Sequence, residues 1–389
     1  MPVRTRPIRA PFALALAVLL VSAACSKAPD ATTTADGATA TTAPSPAAAG
    51  ATAGSGPTTT APGSPTSSPG GSPTSSAPAK ATGAARPSAG CATPGTGTVT
   101  PGQGVDQQIT TGTETNTYRI YVPPTLTPGT PVPLVLDLHG LGQPHASQAL
   151  VSGWEQLADQ EHLIVLTPQG GQTLPNWRST TAADNPDTAY LRALIEQTQR
   201  DYCVDESRTY SNGISNGGLE SSILSCKLSD KIAAVGLVSG IVVPDECKSV
   251  PKPVIIFWGK RDCTLPYYGG LGYCLVGPKN GTIPTADAPA SGEVPPVEQN
   301  VAAWAARNGC AATPTVTQVS EHVEKRTFTG CRDDDAVDFY VVANGGHTWP
   351  GSKAAATRDK DPDAPKGITT MEIDATKLIW AFFQQHQLP

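Results

Sequence analysis

The sequence predicts an α/β layered fold, with a mostly parallel central sheet and helices on both faces. Three observations carry this. Short apolar runs alternate with segments of helical spacing from residue 118 to 385. Two of the runs, Pro133–Leu138 and Leu163–Leu166, are almost continuously apolar, as strands buried on both faces are. A Gly-Ile-Ser-Asn-Gly-Gly stretch, Gly213 to Gly218, separates a strand-like from a helix-like segment. In sheets of this kind ligands bind at the carboxyl ends of the strands.

Taken in order, Tyr118–Val122 alternates and reads as a strand, and Pro133–Leu138 as a buried one. A helix is expected from about Ser147 to Glu161, then the strand Leu163–Leu166. Thr188–Tyr202 has helical spacing at Tyr190, Leu191, Leu194, Ile195 and Thr198. Arg208–Asn212 is a strand, and Leu219–Leu224 lies in a helix. Ala233–Val238 and Val254–Trp258 are strands, Val301–Asn308 a helix and Val337–Val342 a strand. Thr369–Gln385 closes the chain as an amphipathic helix.

Gly213-Ile214-Ser215-Asn216-Gly217 is a G-x-S-x-G placed between strand and helix, the nucleophile elbow of the α/β-hydrolase fold. The turn is so tight that residues two positions either side of the serine must lack side chains. With 38 glycines in the chain the motif by itself is weak, and a plain Gly/Ser turn competes with it. Its surroundings decide.

A serine hydroxyl needs a histidine to take its proton and an acid to hold that histidine's tautomer. In this fold they follow the serine in the order acid, then histidine. Asp262 comes four residues after the strand ending at Trp258, at the ligand-binding edge; a surface aspartate paired with Arg261 is the alternative. Asp137 lies inside a strand, and Asp333–Asp335 precede one. Of six histidines, only His347 follows a late strand, flanked by glycines. His145 and His162 precede the serine, His322 sits among charges and His386 in the last helix. The loop His139-Gly140-Leu141-Gly142 follows the buried strand, where the second oxyanion donor arises. The expected oxyanion hole is therefore the N–H groups of Leu141 and Asn216. His139 either borders the substrate or packs at the strand-to-loop turn.

The ends place the chain. Arg4, Arg6 and Arg9 precede the apolar run Pro11–Val21, too short to span a bilayer. Ser22-Ala23-Ala24-Cys25 resembles a lipobox, so residues 1–24 are expected to be a signal peptide and Cys25 the lipidated N-terminus; cleavage without lipid is the alternative. Residues 25–90 are almost wholly Ala, Thr, Ser, Pro and Gly and cannot bury enough surface to order. They read as a tether with a reach of roughly 45 Å. Residues 91–389 then form the α/β-hydrolase catalytic domain. The first 90 residues hold six basic and two acidic side chains, which leaves the domain near −10 against −6 overall. Such a charge excludes a nucleic-acid footprint and leaves membrane association to the lipid alone.

Of nine cysteines, eight remain when Cys25 is set aside, an even count that behind a signal peptide argues for disulfides. Local loops favour Cys263–Cys274 and Cys310–Cys331. Cys203 precedes the strand before Ser215, and Cys226 lies roughly 16 Å down the following helix at 1.5 Å per residue, which suggests Cys203–Cys226. Cys91–Cys247 follows by elimination. No C-x-x-C or H-E-x-x-H occurs, so no metal is expected.

Several stretches together resemble the poly(3-hydroxybutyrate) depolymerase / feruloyl esterase / acetyl xylan esterase group. They are Leu138-His139-Gly140, Gly213–Gly218, Asp262 with Pro266–Gly270, His347-Thr348-Trp349-Pro350-Gly351, Trp304–Cys310, and Asp187 with Tyr190-Leu191. The resemblance covers essentially all of 91–389. It implies carboxylic ester hydrolysis without a cofactor, Ser215, Asp262 and His347 as the triad, and Trp349 lining the acyl or sugar site. The family often carries a His-Gly pair before the acid, where this chain has Trp258-Gly259-Lys260-Arg261. Its aromatic-rich loop is reduced to Asn176-Trp177-Arg178-Ser179. The expectation is an extracellular, lipid-anchored, monomeric serine esterase for smaller or cell-surface esters. A catalytically idle hydrolase-like lipoprotein that binds a ligand or cell-wall partner is the alternative.

Overall fold

The computed structural model describes residues 83–389 apart from 94–96, 98, 172, 248–250, 277–293 and 358–366. The expected signal peptide, Cys25 and the tether up to residue 82 lie outside the described residues.

Among the described residues ten strands form one sheet. In chain order the elements begin β1 (Gly104–Thr111), β2 (Glu114–Tyr121), β3 (Val132–Leu138), α1 (His145–Ser152), α2 (Trp154–Glu161) and β4 (Ile164–Pro168). Then come α3 (Pro186–Asp201), β5 (Val204–Ile214), α4 (Asn216–Lys227), β6 (Val235–Val238) and β7 (Val254–Gly259). The chain continues with α5 (Tyr273–Val276), α6 (Val297–Arg307), β8 (Thr315–Gln318), β9 (Val323–Phe328) and β10 (Val337–Val342). It closes with α7 (Lys353–Ala356) and α8 (Ala375–Phe383). The spatial order is β1-β2-β4-β3-β5-β6-β7-β10-β9-β8. Pairing is parallel from β4 to β10 and antiparallel at both ends. This is the α/β-hydrolase fold.

The strands alternate into two cores. Leu134, Leu136 and Leu138 of β3 pack with Leu191 and Leu194 of α3 and Trp304 of α6. Val135 points the other way, toward Trp154 of α2 and Ile379 and Phe383 of α8. Helices thus cover both faces, as parallel strands require.

Some elements differ from expectation for local reasons. The helix expected over 147–161 is two, because Gly153 at φ 72° ends α1 in the left-handed region. The last helix begins only at Ala375, where the Asp374 side chain accepts from Lys377 N–H. β1, β8 and β9 have no apolar run to announce them, and every residue of β8 is exposed.

Two of the four disulfides match the expected loops, Cys263–Cys274 and Cys310–Cys331. The other two correct it: Cys91 pairs with Cys203, and Cys226 with Cys247. The depth of Cys226 along α4 was read well but its sideways position was not. α4 leans over β6, and Ser222 Oγ meets Val242 N–H at 3.4 Å, so the helix end meets the segment after β6. Cys203 is instead met by the N-terminal segment. Ser88 N–H donates to Val204 O at 2.9 Å, and Arg86 N–H to Asp205 Oδ1 at 2.9 Å. Arg86 and Ser88, inside the stretch read as tether, are therefore bonded to β5.

Candidate active site

Ser215 stands where β5 hands over to α4, at φ 56° and ψ −121°. A non-glycine residue held there costs on the order of 1–3 kcal/mol and persists only when its surroundings enforce it. They do. A Cβ on Gly217 would lie 2.2 Å from Leu138 O, and one on Gly213 2.6 Å from Gly217 O. The helix start is thus pressed against the end of β3, and Ser215 N–H is fixed to Val238 O at 2.8 Å.

Asp262 follows β7 on a turn and is 4% exposed. Its Oδ1 accepts from Thr264 and Leu265 N–H, both at 2.8 Å. Its Oδ2 meets His347 Nδ1 at 2.7 Å. A carboxylate only accepts, so Nδ1 carries the proton and Nε2 is left as a base. His347 arrives from the loop after β10, the parallel neighbour of β7. Gly259 lets that loop pass, since a Cβ there would lie 2.2 Å from Gly345 O. Asp262 and His347 are thus brought together. No hydrogen bond joins His347 to Ser215 among the described residues, and catalytic hydrogen bonds are often long without substrate.

The loop after β3 crosses the serine. A Cβ on Gly140 would lie 3.5 Å from Ser215 Cβ. Gly140 N–H donates to Gln143 Oε1 at 3.1 Å, and Gly142 N–H to Pro175 O at 2.7 Å. Leu141 lies between them with its side chain 53% exposed. Asn216 is the first residue of α4, so its N–H belongs to the unpaired helix start, the positive end of the dipole.

Two of the residues expected on the substrate side are buried. His139 is fully buried: Nδ1–H donates to Gly140 O at 2.8 Å, and Nε2 accepts from Gly170 N–H at 2.9 Å. Burial pulls its pKa down to about 4, so it is a neutral imidazole at the strand-to-loop turn, the packing alternative of the two readings. Trp349 is 1% exposed and donates from Nε1 to Thr376 Oγ1 at 2.9 Å. Its ring belongs to the core on the α8 face, beneath the loop that carries His347.

The sequence reading missed a cluster on α4. Asn216 and Glu220 are one turn apart and share a helix face. The Asn216 side chain accepts from Trp177 N–H at 2.6 Å and donates to Trp177 O at 2.9 Å. Glu220, fully buried, accepts from Ser179 N–H at 3.0 Å. The signal was a carboxylate four residues after Asn216, in the middle of a helix whose neighbouring positions are apolar or small. Among the described residues no group of three or more His, Cys, Asp or Glu side chains could hold a metal.

Ser215 and the His347–Asp262 pair thus stand at the carboxyl ends of nearby parallel strands. Residues 116–262 match the family Esterase PHB depolymerase. The chain is 33% identical over 149 residues to the bifunctional acetylxylan esterase/xylanase XynS20E of Neocallimastix patriciarum, covering 38% of this chain and 22% of that protein. It is 30% identical over 170 residues to feruloyl esterase B of Piromyces equi, covering 42% and 29%. The chain therefore spans less than a third of the length of these two curated relatives. An acetyl xylan esterase structure from Aspergillus awamori aligns with a TM-score of 0.47 at 15% identity, over 63% of this chain and 94% of that one. Through residues 116–262 the chain is thus similar to the poly(3-hydroxybutyrate) depolymerase / feruloyl esterase group.

Proposed function

We propose that the chain is a serine carboxylic ester hydrolase. Ser215 Oγ attacks the ester carbonyl while His347 Nε2 takes its proton, and Asp262 holds the imidazolium. The N–H groups of Leu141 and Asn216 stabilise the oxyanion. Collapse expels the alcohol, protonated by His347, and leaves an acyl-Ser215. Water, deprotonated by His347, then releases the carboxylic acid. The observation that carries the reading is the 2.7 Å His347–Asp262 pair at the ends of adjacent strands, with Ser215 on the elbow two strands from β7. No cofactor is required.

The sequence before residue 83 supports a further part of the proposal. Its reading as a signal peptide over 1–24, lipid on Cys25 and a tether puts the domain outside the cell in this proposal, and the four disulfides, which persist in oxidising surroundings, support it.

p-Nitrophenyl ester turnover tests the chemistry. Ser215→Ala should lower kcat by at least roughly 10⁴-fold. It should also abolish labelling by a fluorophosphonate probe. Unchanged turnover in Ser215→Ala, or a wild-type chain that does not label, defeats the reading and favours an idle site.

A further inference from the structure

The loop after β4 returns across the start of α4 as a three-residue strap, Trp177–Ser179. On one side it is held by α4. Beyond the bonds already described, Asn216 Nδ2 lies 3.2 Å from Ser179 Oγ. On the other side Asp187, in the first turn of α3, accepts from Arg178 N–H and from Arg178 Nη1, each at 2.6 Å. The Trp177 indole donates from Nε1 to His139 O at 3.0 Å. The strap therefore touches both segments that carry the oxyanion amides. Trp177 grips the His139–Leu141 loop, and Asn216 grips Trp177.

Glu220 is the least expected member. It is completely buried on the nucleophile helix, its Oε2 bonded to Ser179 N–H and its Oε1 unpartnered among the described residues. Ser179 sits at φ 46°, a conformation that a serine keeps only when it is held. A buried carboxyl is expensive, and nothing in helix propensity calls for one here.

We propose that Glu220 is a positioning residue for ester hydrolysis: by accepting Ser179 N–H it fixes the strap against Asn216 and the His139–Leu141 loop, and so sets the spacing of the two oxyanion amides. This rests on the serine esterase reading above.

The protonation of Glu220 fits the role. Burial, then the nearby Asp187 carboxylate, raises its pKa to about 8, while Ser179 and the Arg178 guanidinium oppose the rise. At neutral pH it is mostly an uncharged acid whose oxygen accepts from Ser179. Ionised, it places a second negative charge beside Asp187 in a space closed to water, which loosens the strap.

The experiment uses the full chain with p-nitrophenyl acetate, and compares Glu220→Leu and Glu220→Gln with wild type across pH 6–10. Glu220→Leu, which cannot hold Ser179, should lose about tenfold or more in kcat at pH 7 with KM nearly unchanged, because only the developing oxyanion feels the change. Glu220→Gln keeps an acceptor and cannot ionise. It should hold near wild-type kcat at pH 7 and retain it above pH 8, where wild type declines. A folded Glu220→Leu enzyme with wild-type kcat overturns the proposal. Should Glu220→Leu not fold, the Glu220→Gln profile decides, and a profile superimposed on wild type overturns it. If wild type neither turns over ester nor labels at Ser215, the esterase reading falls and takes this one with it. Normal wild-type activity with indifferent Glu220 variants removes this proposal alone.

Discussion

Asp137 shows how a residue can sit in a reacting sheet without reacting. It lies fully buried in β3, where Gln148 Nε2 donates to Oδ1 at 2.7 Å and Ser152 Oγ donates to Oδ2. Burial raises its pKa from 3.8 to about 7, against the pull of those two donors. The sign follows from the two states. Between about pH 4 and 7 the unfolded chain has lost the proton and the folded chain keeps it, so stability falls as pH rises, by up to about 1.4 kcal/mol per unit. His139 works in the opposite direction. Its pKa falls from 6.5 to about 4, so its burial weakens the fold as pH drops through that window. Asp137→Asn should therefore gain on wild type from pH 4 to pH 7 in urea melts, and a constant gap contradicts the assignment. The sequence could set Ser215, Asp262 and His347 after strands because each follows an apolar run. It could not fix which way Trp349 and His139 point, because the direction of a side chain depends on what packs behind it: Thr376 for one, Gly170 for the other.

Among the elements, α4 and β3 set the site through their separation. Leu138 O faces Gly217 so closely that an added Cβ meets main chain, which cannot rotate away. Gly217→Ala should push the helix start off the sheet and displace Asn216. We expect a loss of at least roughly 2 kcal/mol in stability and severe loss of turnover, read by thermal melting and ester assay on the same sample. The elements carrying the site were legible because buried parallel strands are apolar end to end, as β3 and β7 are. β1 and β8 were not, because an edge strand facing water has no such pattern. The Asn216–Glu220 face escaped notice for a related reason. A helix inspected for apolar spacing gives no weight to the charge it hides.

At the scale of the molecule, the disulfides divide the work unequally. Cys91–Cys203 spans 112 residues and Cys263–Cys274 spans 11. Loop-closure entropy assigns them about 5 and about 3 kcal/mol respectively. Replacing both cysteines of the first pair by alanine should lower the denaturation midpoint more than doing so with the second. Equal losses would point to strain or residual structure rather than loop length. The second pair instead closes the turn next to Asp262, so its removal should show in kcat before it shows in stability. Sequence spacing identified the two short local loops, since neighbours in the chain meet easily. It did not identify Cys226–Cys247, which spans the same 21 residues as Cys310–Cys331 but depends on how α4 leans, or the long Cys91–Cys203, which depends on where residues 86–91 lie across β5.

That seam between residues 86–91 and β5 also gives the domain a polarity. Cys203 and Ser215 bracket a single strand and so stand at its opposite ends. Arg86 reaches the Pro389 carbonyl at 2.8 Å, and Leu388 N–H bonds Ser207 O, so both ends of the folded chain leave from the Cys203 pole. Immobilising the domain through that seam should leave the Ser215 end of β5 open to solution.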